Sequence, residues 1–497
     1  MGVRRTRRGF LKVAAGGGAW LALLALVGCE PNRPVQAFAA PAGPTRAFRS
    51  RPDLAPPPVE VTTRARSTAQ GYLFAAPKNG PGEQHPAQDG SMILDNEGQP
   101  VWFRPVRAEE RDAMDFKAQS YKGRPVITWW EGVHGGYGNG EYVIFDESYR
   151  EIRRFPAGNG YPGDHHEFLI TKRDTALILI YAETPMDLSA YGGPKDGAVM
   201  DGVAQEIDIE TGEVLFEWHS LEHVGLEESF YEPEPDLVEA YDYFHINSIE
   251  EEGEDHLLIS ARRTSAVYKV DRRTGEVVWR LGGKRSDFEM GEGARFAYQH
   301  DARRQPDGTI TLFDNRGAAM DEQSRGIRLK LDEEAMTATL LQEFVHPEQP
   351  FAIYQGNVQV LPNGNVFVGW GSAPYLSEHD GEGKVLFDAG FPPEVESYRA
   401  FRFPWRGRPQ GDPALAVESG PEDRVTLYAS WNGATEVASW EVLAGSTAGD
   451  LKPVGSAPRK GFETAITFST EEPYVAARAK DRSGKLLGVS RTLRRKS

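Results

Sequence analysis

Short runs of alternating apolar and polar residues fill most of this chain, and polar turns join them in pairs. The clearest mark is a turn that opens with Asp between two apolar runs, the second often holding Trp or Phe. Six such turns begin at Asp95 (DNEGQPVWF), Asp146 (DESYREIRRF), Asp208 (DIETGEVLFEW), Asp271 (DRRTGEVVWRL), Asp332 (DEEAMTATLLQEF) and Asp380 (DGEGKVLF), spaced 51, 62, 63, 61 and 48 residues apart. Each interval fits a four-stranded unit with its loops, roughly 50 residues. Asp followed by Gly three or four residues later is a hairpin signal, and the flanks alternate as strands do. No long stretch keeps a 3.6-residue period. The pattern predicts an all-β chain whose residues 66–410 form a six-bladed β-propeller; an irregular β-sandwich with chance turns is the competing reading. Past Trp405 the repeat stops. Short alternating strands with Trp431 and Trp440 predict a small sandwich of the immunoglobulin or fibronectin III kind over residues 411–497, suited to packing or docking.

A second, offset element recurs: a polar residue, a short strand, a turn and a strongly apolar strand. It starts at His166, His245, His300 and Asn357. A propeller packs its innermost strands around a central channel. Equivalent positions on those strands then converge on one mouth, so three histidines and an asparagine distant in sequence are expected to share one site.

The first 65 residues break the pattern. Arg7 and Arg8 ahead of Phe10-Leu11-Lys12 have the form of a twin-arginine export signal, and Leu26-Val27-Gly28-Cys29 resembles a lipobox. The apolar run between them is short for a membrane-spanning helix, which needs about 20 residues. Residues 1–28 are therefore expected to be a signal peptide and Cys29 the lipidated anchor, placing the protein outside the cytoplasm, on the outer face of the cell membrane or in the periplasm; an uncleaved anchor is the alternative. Residues 29–65, rich in Pro, Ala and Arg, are expected to be a tether. Cys29 is the single cysteine, so no internal disulfide can form.

Charge narrows the partners. The chain holds 73 acidic and 56 basic residues, a formal charge of -17, and residues 1–28 carry five basic and no acidic side chains. The remainder is thus near -22, which argues against nucleic acid as a partner. An anionic substrate must be drawn by a local cluster of positive groups.

The strings DHHEFLIT, YFHINSI, LLISARRTSAVYKV, TGEVVWRLGG and FAYQHDARRQPDGTITLFDN resemble the bacterial arylsulfotransferase family over about residues 66–405. Members of that family are six-bladed propellers that move a sulfuryl group from a phenolic sulfate ester to another phenol without a nucleotide donor. The C-terminal segment resembles the extension on its shorter branch. The resemblance implies that His300 is the nucleophile, forming a sulfohistidine in a ping-pong cycle. It implies that His245, His166 and Arg262 complete the catalytic set, that Asn247 and Asn357 bind substrate with His165 as a rival of His166, and that no metal or other cofactor takes part. The chain lacks the N-terminal sandwich and disulfide of the best-known branch, so dimerisation through that sandwich is not implied.

The chemistry makes a similar demand. A sulfuryl group in transfer spreads charge over three oxygens, and its catalysis rests on positioning and positive electrostatics. An arginine can grip two oxygens and keeps its charge at any working pH. A neutral imidazole splits one hard step into two, and a second histidine can supply the departing phenolate with a proton.

Several other side chains remain open at this stage. Arg263, next to Arg262, is expected to face the other way along a strand, toward the surface. Asp164, His165, His166 and Glu167 could hold a metal. His219 and His223 are expected to be solvated, and Trp129 and Trp130 could wall a phenol or pack between blades. Two other functions stay open: a non-catalytic propeller binding a ligand or partner at the cell envelope, and a dehydrogenase related to the quinoproteins, whose turns TGEVLFEW and TGEVVWRL resemble.

Overall fold

The computed structural model describes residues 45–106, 111–316 and 323–495, within the unit Ala37–Ser497. The expected signal peptide and Cys29 lie outside the described residues.

Strands are the dominant element of the described chain, and helix is confined to three short turns among the described residues. Six sheets, antiparallel except for one two-residue edge strand, follow one another from Tyr72 to Phe403. Sheet I holds Tyr72–Asn79, Gly90–Leu94 and Pro100–Pro105, with Val395–Phe403 added beside the first of them. Sheet II runs Asp112–Tyr121, Arg124–His134, Gly138–Phe145 and Glu151–Phe155; sheet III runs Phe168–Ile170, Thr175–Met186, Gly197–Asp208 and Val214–His219. Sheet IV runs Ile246–Glu252, His256–Ala261, Ala266–Asp271 and Val277–Gly282. Sheet V holds His300–Arg304, Ile310–Asp314, Arg325–Asp332 and Thr337–Phe344, with Glu289–Met290 on its outer edge. Sheet VI holds Asn357–Val360, Val366–Gly369, Tyr375–His379 and Val385–Gly390, with Glu60–Thr63 outermost.

The six aspartates of the repeat all do one job. Each carboxylate accepts backbone N–H groups two to four residues ahead, closing the turn between the last two strands of its sheet. Asp95 takes Glu97 and Gln99, Asp146 takes Ser148 and Arg150, and Asp208 takes Glu210 and Thr211. Asp271, Asp332 and Asp380 repeat the arrangement. An Asp side chain that mimics a backbone turn in this way is the physical reason for its recurrence.

Apolar cores lie between the sheets. One cluster joins sheets I and II (Phe74, Trp102, Phe116, Trp129), another II and III (Met114, Ile144, Ile178) and a third III and IV (Leu177, Tyr243, Ile259). Three more join IV to V, V to VI, and VI back to I (Leu258 with Leu312; Phe344 with Val366; Phe367 with Leu73). Each sheet therefore buries both faces, and the order of neighbours closes on itself.

Polar side chains near the start of the first strand in sheets II, IV, V and VI stitch neighbours together. Asp115 accepts from Phe168 N, Ser248 from Ala302 N and Asp301 from Val358 N. Asn357 donates to Ala400 O at 2.8 Å and accepts from Ala400 N at 2.9 Å. Gln119 and Gln359 bracket backbone groups of the next sheet in the same manner. Such bonds satisfy backbone groups that would otherwise be buried without partners.

Residues 45–63 depart from the expected tether. Leu54 and Val59 are buried, Phe48 packs on Phe462 with ring centroids 4.3 Å apart, and Glu60–Thr63 pairs with Val385–Gly390. The prolines keep this segment extended, which suits an edge strand, and its apolar residues find a groove beside sheet VI.

Beyond Phe403, two small antiparallel sheets enclose their own core of Leu415, Val425, Leu427, Trp440, Val442 and Val475. They dock on sheets I and II. Asn432 brackets Phe103, accepting from its N–H and donating to its carbonyl at 2.9 and 2.8 Å, and Tyr149, stacked on Trp102, donates to Gly433 O at 2.8 Å.

Candidate active site

Three histidines stand where sheets III, IV and V begin. His166 precedes Phe168–Ile170, His245 precedes Ile246–Glu252 and His300 opens His300–Arg304. The chain is irregular at two of these points: His245 has φ of 55° and Asp301 φ of 56°, and the pairing register slips just beyond both. Bulges of this kind turn side chains out of the sheet toward a common space.

Each histidine is held through Nδ1. Asp164 Oδ1 lies 2.5 Å from His166 Nδ1, and Asp242 Oδ2 lies 2.5 Å from His245 Nδ1. Asn315 Oδ1 lies 2.8 Å from His300 Nδ1. The His166 and His245 rings stand 5.1 Å apart and perpendicular, flanked by Tyr181 and Tyr398. Tyr398 donates to His166 O at 3.0 Å, tying sheet I to this cluster.

Burial drives the electrostatics. It pulls His245 down to about 4 against the opposing pull of Asp242. Burial would raise Asp242, but His245, Arg263 and Arg262 hold it at about 2. The pair is thus an ionised carboxylate accepting from a neutral imidazole. His300 is driven well below the ordinary range, first by burial and then by the positive charge of Arg262, with His166 and His245 acting in the same direction. The same three groups act electrostatically on His300 from two other sheets, so all four expected catalytic side chains share one neighbourhood.

Arg262 sits in the turn after His256–Ala261. Its backbone N–H donates to His245 O at 2.9 Å, its Nη2 donates to Ile353 O at 3.1 Å, and its guanidinium lies 5.1 Å from the Tyr298 ring centre. Among the described residues no carboxylate lies within ion-pair distance of it, and its Nε has no partner. A sheltered guanidinium without a counter-ion is a site prepared for an anion. Arg263 corrects its expectation. The strand ends at Ala261, so alternation does not apply, and Arg263 lies against Asp242 at 3.6 Å and over Tyr231 at 3.6 Å rather than in solvent.

The asparagines differ from the histidines. Asn357, expected to bind substrate, spends both amide atoms on Ala400 and is fully buried, so its role is to join sheets VI and I. Asn247 donates to Gln299 O at 2.6 Å, also a bond between sheets, while its Oδ1 is left without a partner. His165 is buried beside His166, 4.1 Å between ring centres, and its Nδ1 lies 3.4 Å from Asp164 Oδ2 without a hydrogen bond. Its other neighbours are His134 and Trp130, at 4.6 and 5.5 Å.

Trp130 therefore borders the histidine cluster, whereas Trp129 belongs to the core between sheets I and II. His219 is not simply solvated: it pairs with Asp201 at 2.7 Å, and His223 stacks on Trp218 at 5.5 Å.

Asp164, His165 and His166 offer ligand atoms within 4.8 Å of one another and could hold a cation. Asp164 is already engaged, by Gly138 N at 2.6 Å, His166 N at 2.9 Å and the His166 ring, so a metal would have to displace the bond that orients His166.

Reading the sequence missed the partners Asp242, Asn315, Tyr181 and Tyr398, and gave Asp164 only a possible metal-binding role. Two left a local trace, an Asp two or three positions before its histidine. Asn315 lies fifteen residues from His300 and meets it only because two strands pair.

A family model described as arylsulfotransferase (ASST) matches residues 117–392, which include every histidine, arginine and asparagine discussed above as an expected site residue. No curated protein matches the chain. Among solved structures, a protein of unknown function from Bacteroides caccae shares 13% identity, covering 67% of this chain and 98% of its own, with a TM-score of 0.41. A putative 6-phosphogluconolactonase from Bacteroides uniformis shares 11% identity over 74% of this chain and 96% of its own, with a TM-score of 0.31. The Dos1 propeller shares 13% identity over 86% and 93%, with a TM-score of 0.30.

Proposed function

The chain belongs to the arylsulfotransferase family, and from that premise we propose that it moves a sulfuryl group from a phenolic sulfate ester to a phenol through a sulfohistidine at His300. We read the six sheets as the blades of a propeller spanning residues 66–410 and residues 411–497 as an appended sandwich. The protein would be exported by the twin-arginine route and held at the membrane by lipid on Cys29.

The observation that carries the reaction is Arg262, a sheltered guanidinium with no carboxylate partner beside a neutral His300. It supplies the positive field that a sulfate ester needs, in a protein whose net charge would repel anions. In the first half-reaction the Nε2 lone pair of His300 attacks sulfur, the bond from sulfur to the aryl oxygen breaks, and the electron pair leaves on the phenolate. The imidazole keeps its Nδ1 proton and becomes an N-sulfonated cation facing Asn315. In the second half-reaction an acceptor phenol loses its proton as its oxygen attacks the same sulfur, and the nitrogen–sulfur bond breaks to restore neutral His300.

His245 and His166 fit the base role best. Each gives Nδ1 to a carboxylate, which leaves Nε2 as a lone pair, and neither Nε2 has a hydrogen-bond partner among the described residues. A proton taken there from one acceptor is then available to the next departing phenolate, which closes the proton cycle. Tyr137, Tyr181 and Tyr298 lie around these groups and suit an aromatic ring.

The test is turnover of a chromogenic aryl sulfate by the purified protein, with and without a second phenol. Release of phenol that rises with acceptor concentration supports transfer. Release independent of any phenol points to hydrolysis, and no release from a panel of aryl sulfates favours a propeller that only binds a ligand.

A further inference from the structure

Asn315 touches no expected substrate position, yet its amide is fixed at both ends. It is fully buried at the end of strand Ile310–Asp314. Its Nδ2 donates to Ala352 O at 2.8 Å and to Gln355 O at 2.9 Å. With both amide protons committed to carbonyls, the amide cannot turn over, and Oδ1 is the atom presented to His300 Nδ1 at 2.8 Å. An amide oxygen only accepts, and so does the second, longer neighbour of this nitrogen, Tyr298 O at 3.1 Å, so Nδ1 must carry the imidazole proton. The opposite ring nitrogen gives the same answer: Gln355 N–H points at His300 Nε2 at 3.2 Å, and an N–H can face that atom only if it holds a lone pair.

We propose that Asn315 is a positioning residue that locks His300 in the tautomer with the proton on Nδ1 and the lone pair on Nε2. The inference rests on the sulfuryl-transfer reading for its purpose, though not for its geometry. The identity of the partner matters. His166 and His245 face carboxylates, whereas His300 faces a neutral amide, which orients the ring without placing a charge beside it. An amide also leaves the N-sulfonated cation less stabilised than a carboxylate would, keeping the intermediate reactive toward the acceptor. Asn315 holds the strap Ala352–Gln355 as well, so the group that fixes the tautomer also places the Gln355 amide over the lone pair. That bond must open before Nε2 meets sulfur.

The charged and titratable groups that act on His300 are Arg262, His166 and His245. Replacing Asn315 by Asp adds one negative charge to that set. It should keep the tautomer but stabilise the imidazolium, moving the acid limb of kcat/KM upward by about one to three pH units. Asn315→Ala should loosen the lock, leaving Nδ1 only the longer bond to Tyr298 O, and lower kcat roughly 10- to 100-fold, the range known for partners that orient metal-bound histidines, with a smaller change in KM.

The deciding experiment is nitrogen NMR of the full chain with labelled histidine rings, His300 being assigned by its loss in His300→Gln. The proposal expects a protonated Nδ1 and a bare Nε2 in the unsubstituted protein, and a mixture in Asn315→Ala. A proton on Nε2 in the unsubstituted protein overturns it, and this reading needs no variant to fold. An unchanged tautomer and kcat in Asn315→Ala also overturns it. If the tautomer is as expected but no aryl sulfate is ever turned over, the lock stands and the sulfotransferase reading falls.

Discussion

His166 and Glu167, His300 and Asp301, and Tyr398 and Arg399 are adjacent in the chain, yet the two members of each pair live in opposite chemical worlds. Glu167, Asp301 and Arg399 join Asp115, Lys117 and Arg303 in a buried cluster of three carboxylates and three cations. Lys117 meets Asp115 and Glu167 at 2.7 Å each, Arg399 meets the same two at 3.0 Å, Arg303 meets Asp301 at 2.7 Å and also pairs with Glu167, and Asp301 lies 3.4 Å from Arg399. Every charge there has an opposite neighbour. One residue away, His166 and His245 are held through Nδ1 only, His300 meets neutral partners on both ring nitrogens, and Arg262 has no counter-ion. Matched charges make a rigid plug across the inner strands; unmatched groups are what a reaction can use. The two side chains of each pair point apart, one into the plug and the other toward the histidine cluster.

The largest effect should come from His300→Ala. Transfer should fall on the order of 10⁶-fold, as when a covalent nucleophile is removed, while the unfolding transition stays close to that of the unsubstituted protein. Retained turnover of an aryl sulfate would show that the mouth works without it. In the plug the effect should be the reverse. Arg399→Met leaves buried carboxylates without their partner and should cost about 3–5 kcal/mol in denaturant unfolding. A stable, fully folded Arg399→Met protein would mean that the charges there are not coupled.

Arg262→Lys sharpens the contrast. The lysine cannot reproduce a two-pronged grip, so kcat/KM should fall roughly 10²- to 10³-fold, but with no ion pair to lose, the melting temperature should hardly move. A large loss of stability would place Arg262 in the framework. The smallest effect should be that of Asn357→Ala, which removes two hydrogen bonds between sheets VI and I. Folding should weaken by about 1–3 kcal/mol, with activity per folded molecule unchanged.

Acid separates the two regions as well. His245 and His165 are both pulled to about 4 by burial, while the same rings in an unfolded chain protonate near the ordinary 6.5. As pH falls from 6.5 toward 4, the unfolded state takes up protons that the folded mouth refuses, so stability should drop across that window. Calorimetry between pH 7 and pH 4 would show a falling melting temperature. His300 is lowered too, so turnover should persist below pH 6.5 as long as the fold does.

The repeat was legible because its physical cause is local: an Asp at a fixed place in each turn accepts the next backbone N–H groups, whatever else the sheet does. The histidines were legible because they open equivalent strands. Asn357 sits at the same place in the repeat and looked equivalent, yet its amide matches the geometry of a neighbouring backbone and is consumed there. Arg263 was misjudged because strand alternation was extended two residues past Ala261. The packed arm at 45–63 was read as a tether from its prolines, and only the groove beside sheet VI gives its apolar residues a place. Asn315 could not be singled out at all, since its meaning depends on a pairing between strands.

The central claim is that His300 carries the sulfuryl group between donor and acceptor. The most direct measurement is mass spectrometry of the protein quenched after an aryl sulfate is added without any acceptor phenol. The account predicts a peptide containing His300 that is heavier by one sulfuryl group, lost again when a phenol is supplied. Phenol release with no sulfated peptide, or with the sulfuryl group on another residue, would contradict it.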